Sequence, residues 1–129
     1  MALATQLTIQ LHNRPGALAE LCTELAKVAV NIHAIHGSEA RPLGAVRLLV
    51  SNLPAARRVL EQLGLSYFEE KVLTALVPDR PGALGRVTRK LAAAGVNIDY
   101  IYGSIGRGAK RALLVLGVAD AESNAKLLR

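Results

Sequence analysis

The feature that most constrains this chain is a repeat inside it. Arg14-Pro15-Gly16-Ala17-Leu18 recurs as Arg80-Pro81-Gly82-Ala83-Leu84, Val30-Asn31-Ile32 as Val96-Asn97-Ile98, and Gly37-Ser38 as Gly103-Ser104, every pair 66 residues apart. Across residues 13–50 and 79–116 the copies are identical at 15 of 38 positions, with no gap. Self-similarity at a fixed period means one supersecondary unit built twice. The copies meet near residues 67–71 without a Pro/Gly/Ser linker, which gives expected domains at 1–70 and 71–129. A unit of ~60 residues buries too little surface to be more than marginal alone, so each copy is expected to depend on the other. The core must be aliphatic, because the chain is 51% hydrophobic yet has only three Tyr, one Phe and no Trp.

The order within each copy is legible. Leu7, Ile9 and Leu11 alternate with Gln6, Thr8 and Gln10, the period of a half-buried strand. Asn13-Arg14-Pro15-Gly16 is a turn into a helix over 16–29, whose apolar stripe is Leu18, Leu21, Cys22, Leu25 and Val28/Ala29. Strands follow over Val30–Ser38 and Ala45–Val50, separated by a turn marked by Pro42 and Gly44. Asn52 is placed to cap a helix that ends at Gly64, and Tyr67–Lys71 closes the copy as a fourth strand. The second copy reads as a strand at Val72–Val77, a helix closed by Gly95, strands at Val96–Ser104 and Arg111–Val118, and a last helix from Asp120. The fold class is therefore α+β: two tandem βαββαβ units, each a two-layer sandwich of helices on one face of a sheet. The second copy stops short of its last strand, so that edge is absent or is filled by another chain or by the N-terminus. Val72 and Leu76 stand where copy one has Gln6 and Gln10, which makes copy two apolar on both faces; burial of that face in a homodimer is the expectation.

Composition excludes several classes. The lone Cys22 is incompatible with an intrachain disulfide or a multi-thiolate metal site, and its place on the helix stripe reads as buried packing. No apolar run reaches the ~20 residues of a membrane helix, and no basic region precedes an apolar stretch at the N-terminus. A reducing, cytoplasmic setting without membrane contact is expected. The net charge of +6 is spread through the chain, with no run of like charge and no interleaved aromatics, so the case for nucleic acid is weak. Arg86, Arg89 and Lys90, with Arg107, Lys110 and Arg111, read as a solvated basic surface. Gly103, Gly106 and Gly108 join two strands and lack the strand-to-helix context of a phosphate loop. His33 and His36 fall on opposite faces of one strand, which argues against a shared metal. No catalytic constellation can be assigned, and no cofactor is implied.

The repeated unit resembles the ACT domain, a small regulatory module that binds amino acids. The resemblance rests on Asn13-Arg14-Pro15-Gly16-Ala17-Leu18 and Asp79-Arg80-Pro81-Gly82-Ala83-Leu84, each between an alternating strand and a helix, and on Ala29 to Ile32 and Gly95 to Ile98. It covers nearly the whole chain and implies two tandem ferredoxin-like units without a catalytic domain. It also implies a ligand where two such units abut, held by the first strand–helix turn and the start of the second strand. One shell would be Asn13, Arg14, Gly16, Ala17, Leu18, Asn31 and Ile32; the other Asp79, Arg80, Pro81, Gly82, Ala83, Leu84, Asn97 and Ile98. Gly82, Ala83 and Leu84 are expected to present helix-start N–H groups to a carboxylate. Asp79 could accept from an ammonium, which makes copy two the stronger site. The implied function is non-catalytic amino-acid sensing in a homodimer; the alternative is an interaction module that modulates a partner without a ligand.

Overall fold

The computed structural model describes residues 2–38, 43–104 and 109–128. In chain order the elements are β1 (Ala2–His12), α1 (Ala17–Lys27), β2 (Ile32–Ser38), β3 (Leu43–Val50), α2 (Leu53–Gln62), β4 (Tyr67–Pro78), α3 (Ala83–Ala93), β5 (Ile98–Ser104), β6 (Arg111–Val118) and α4 (Ala121–Asn124), followed by a 3-10 turn at Ala125–Leu128. Pro42, Gly106, Arg107 and Gly108 lie outside the described residues. The architecture is α+β with two tandem ferredoxin-like units. It differs from expectation at the junction: the strands assigned to Tyr67–Lys71 and Val72–Val77 are one strand, β4. No glycine or proline interrupts it before Pro78, so nothing breaks the extended backbone at the repeat boundary.

The chain divides into two compact units, one of Gln6–Glu70 and one that joins Lys71 onward with the residues up to Thr5. In the first unit the strand order is β2-β3-β1-β4. β1 runs antiparallel to β3, with Leu7 opposite Leu48 and Leu11 opposite Gly44. β2 pairs antiparallel with β3, with Ser38 opposite Ala45 and an irregularity between Ile32 and Ala34. Leu7, Ile9 and Leu11 meet Leu21 and Leu25 of α1 and Ala56, Val59 and Leu60 of α2 in one apolar core. The period-2 stripe of a strand thus packs on the 3.6-period stripes of two helices. Cys22 is half-buried rather than enclosed. Gln6 and Thr8 are 0% and 3% exposed, so the polar side of β1 is closed off from water at these two residues, while Gln10 stays exposed. Gln6 Nε2 donates to Thr8 Oγ1 at 3.4 Å, one of the hydrogen bonds that make this burial tolerable.

In the second unit the order is β1-β4-β6-β5. Leu73 lies opposite Leu116 and Pro78 opposite Arg111. Leu73, Ala75, Val77, Leu91, Leu114 and Leu116 form its core. The position beside β4 is taken by the N-terminal end of β1. Lys71 Nζ donates to Thr5 Oγ1 at 2.8 Å, and Thr74 Oγ1 donates to the Ala2 carbonyl at 3.2 Å. Of the face expected to be apolar and bare, Val72 is fully buried within the chain, while Leu76 stays 62% exposed.

The helix ends are closed by one device used repeatedly. After α1 the Ala29 N–H bonds the Ala26 carbonyl (3.0 Å) and the Val30 N–H the Leu25 carbonyl (3.0 Å). After α3 the Gly95 N–H bonds Ala92 (2.9 Å) and the Val96 N–H Leu91 (2.9 Å). Both patterns require a left-handed residue at the position after the cap. Gly95 has φ 73° and Ala29 has φ 59°, so copy one places a β-carbon where copy two has none. At the start of α2 the expected cap is present, with Asn52 Oδ1 accepting from the Ala55 N–H at 3.1 Å.

Candidate functional site

The repeated turn between the first strand and first helix of each unit has the same geometry twice. Arg14 N–H bonds the His12 carbonyl and Ala17 N–H the Arg14 carbonyl; Arg80 with Pro78 and Ala83 with Arg80 repeat both contacts. Gly16 and Gly82 carry φ of 86° and 90°, a left-handed conformation that glycine adopts without a steric penalty. These glycines cap their helices without a side-chain hydrogen bond. Of the N–H groups expected to face a carboxylate, that of Ala83 is turned back onto Arg80 at 3.3 Å.

The implied site residues separate into two groups. Asn13, Arg14, Pro15 and Gly16 are exposed at the turn, Ala17 is buried in the core, and Leu18 remains 42% exposed. Asp79, Arg80, Pro81, Gly82, Ala83 and Leu84 repeat this distribution, with Leu84 48% exposed. Asn31 and Ile32 stand at the opposite end of β2 from the turn. Ile32 pairs with Val50, whereas the turn follows His12, which pairs with Leu43. Asn97 and Ile98 are placed likewise, with Ile98 opposite Val118. The Asn31 backbone is fixed by Ser51, whose N–H donates to the Asn31 carbonyl at 2.9 Å. Asn97 is exposed, and its Nδ2 donates to Asp99 Oδ1 at 3.0 Å. Within one unit, then, the turn residues come together and the asparagines do not join them.

Two cavities flank the turn of the first unit. One, of about 170 Å³, lies toward β2 and β3 and is lined by Asn13, Arg14 and Leu18 together with Leu11, His12, Ser38, Gly44 and Val46. The other, of about 220 Å³, lies toward the α2–β4 turn and is lined by Arg14, Ala17, Glu20 and Leu21 with Leu11, His12 and Leu63–Leu65. Arg14 thus serves both walls. Its guanidinium is 3.6 Å from the Glu20 carboxylate. The α2–β4 turn is held in place by the Gln10 N–H, which donates to the Ser66 carbonyl at 2.9 Å. Ser38, Gly44 and Gly64 carried a sequence signal, as the repeated Gly-Ser pair, the turn marker and the helix stop, but Glu20 and Leu65 carried none. Among the described residues no three His, Cys, Asp or Glu side chains converge as a metal site would require. His33 is exposed and His36 half-buried on β2. No helix is long and apolar enough to cross a membrane.

Comparison with known proteins agrees with this geometry. A model of the ACT domain matches the chain twice, at residues 5–64 and 71–128. No curated protein matches it. The solved structure of protein BT0572 from Bacteroides thetaiotaomicron is 30% identical and superposes with a TM-score of 0.89, covering 98% of this chain and 86% of that one. The ligand-free regulatory subunit of aspartate kinase from Thermus thermophilus has 17% identity and a TM-score of 0.71, with 98% and 93% of the two chains covered. The corresponding subunit from Thermus flavus has 17% identity and a TM-score of 0.62, with 98% and 90% covered. At 17% identity these last two show a common fold. The family match spans almost the entire sequence and falls once on each repeat, and the chain belongs to the ACT domain family.

Proposed function

We propose that this protein is a non-catalytic sensor that binds a free amino acid at the β1–α1 turn and acts as a cytoplasmic homodimer. The observation that carries the reading is the 170 Å³ cavity, where Asn13, Arg14 and the exposed Leu18 meet the end of β2. Arg14 offers a bidentate donor to a carboxylate, and Asn13 offers both an acceptor and donors. Asn31 and Ile32 complete the shell only if a second unit lies against β2 with its strand reversed, so that the start of one β2 meets the turn of the other. Ile35 on this edge strand and Leu18 on α1 are 46% and 42% exposed, apolar surface suited to such pairing. The second turn, with Asp79, Arg80, Gly82 and Leu84, is the equivalent site, completed by Asn97 and Ile98. That the aspartate kinase neighbours are regulatory subunits supports a regulatory role. Calorimetry against the twenty amino acids tests the reading. A bound ligand at a hundredfold its Kd adds about 2.7 kcal/mol to folding stability. No heat and no thermal shift at millimolar ligand, in a folded sample, would refute it.

A second reading is an interaction module without a ligand. Leu76 at 62% and Phe68 at 52% exposure, both on β4, favour it as apolar contacts for a partner. A stable partner complex indifferent to every amino acid would select it.

A further inference from the structure

We propose that the 220 Å³ cavity between the β1–α1 turn and the α2–β4 turn of the first unit is a second ligand site, specific for a small aliphatic α-amino acid. It shares with the proposed function the class of ligand and the Arg14 guanidinium, for which two occupants would compete; the Glu20 carboxylate and the α2–β4 wall belong to this cavity and not to the other. The floor is apolar, with Leu11, Ala17 and Leu21 buried and Leu63 and Leu65 half-buried. The rim carries two opposite charges, Arg14 and Glu20. Their closest approach, 3.6 Å, is beyond hydrogen-bond distance. The Arg14 guanidinium instead makes a 3.3 Å bond to the Pro15 carbonyl. The pair is therefore an attraction between two half-solvated groups, with side chains 56% and 55% exposed, and such pairs contribute little. A zwitterion satisfies both charges better than they satisfy each other. Its carboxylate takes the guanidinium, its ammonium donates to the Glu20 carboxylate, and its side chain covers the leucines. The volume lies below the ~300 Å³ at which drug-sized sites begin, which restricts the occupant to a small molecule.

The repeat itself supplies a control. At the positions of copy two equivalent to Arg14 and Glu20 stand Arg80 and Arg86, two cations. The geometry therefore assigns one such site per chain.

The test is calorimetry and methyl NMR of the full chain with L-leucine and L-valine, alongside the matching amines and 2-oxo acids. The expected result is one amino acid bound at this site per chain, reported by shifts at the methyls of Leu21, Leu63 and Leu65. Amine and oxo acid should each bind at least tenfold more weakly, because each leaves one charge unanswered. Glu20→Gln should weaken leucine roughly tenfold and E20R should abolish binding, while Leu18→Trp, which narrows only the cavity toward β2, should leave this site unchanged. Binding lost in L18W but kept in E20Q would overturn the second site and support the proposed function. Equal binding of amine and amino acid, or no binding of either probe amino acid, would overturn the inference whatever ligand the first site takes.

Discussion

Ala29→Gly and Gly95→Ala form a reciprocal pair in which the fold supplies its own reference state. Both residues occupy the left-handed position that closes the first helix of a repeat, at φ 59° and 73°. Both make the same two backbone bonds, and both are solvent-exposed. A β-carbon built on Gly95 meets nothing within 4 Å, so neither change adds a clash or opens a cavity, and the backbone term stands alone. A β-carbon in this conformation costs about 1–2 kcal/mol. Glycine returns about 0.4–1 kcal/mol of that through the greater freedom of its unfolded chain. The difference is roughly 0.5–1 kcal/mol, with opposite sign at the two sites. A29G should therefore stabilise the first unit, raising its Tm by roughly 2–8 °C, and G95A should lower that of the second by a similar amount. Urea denaturation gives the magnitudes, and amide exchange assigns each effect to Gln6–Glu70 or to the residues from Lys71. The double variant should sum the two shifts, since the positions share no partner. A neutral or destabilised A29G, with G95A unchanged, would show that the strain is not held in the backbone and would refute the reasoning.

The N-terminal end of β1 should be needed mainly by the second unit. Removing the residues up to Thr5 deletes the partners of Lys71 and Thr74, a loss of at least about 2 kcal/mol at ~1 kcal/mol per bond, read as faster amide exchange in β4 and β6 than in β3. Gly117→Ala would drive a β-carbon into the ring of Tyr100, and overpacking of this kind costs about 1–3 kcal/mol, measurable by thermal unfolding, with the smaller Y100A ring position restoring the space in the double variant. The Tyr67 phenol is held above its ordinary value of 10.0 by burial and by the Glu61 carboxylate. In the window above that ordinary value the folded state keeps a proton that the unfolded state has lost, so stability should fall as pH rises through it. Phenolate absorbance should show a late-titrating component that Y67F removes, together with that part of the alkaline loss of stability.

What the sequence disclosed and what it withheld divide along one physical line. Leu7, Ile9 and Leu11, Leu21 and Leu25 of α1, the Asn52 cap and the glycine at 95 are local: their period or their backbone preference is written in neighbouring residues, and each is found where its pattern puts it, whereas Leu18 and Val28 of the expected stripe are 42% and 48% exposed. Ala29 is the boundary case. Alanine is no signal for a left-handed residue, and only its alignment with Gly95 exposes the conformation. The single strand β4 was hidden by the opposite error, since the repeat invited a cut where no residue breaks the backbone. The enclosure of Gln6 and Thr8 was invisible because alternation tells which side a residue takes and not what closes over that side. The cavity residues follow the same rule. Arg14 was marked by a motif, but Glu20 acquires a role only beside the α2–β4 turn. That turn reaches the end of β1 through a backbone bond between Gln10 and Ser66, 56 positions apart. A site assembled by such a closure leaves no periodic trace in either segment. Its legible mark in this chain is a difference between the copies: glutamate at 20 where the second repeat has arginine at 86. Divergence inside a repeat, more than its shared motif, is therefore where the distinct chemistry of the first unit is to be sought.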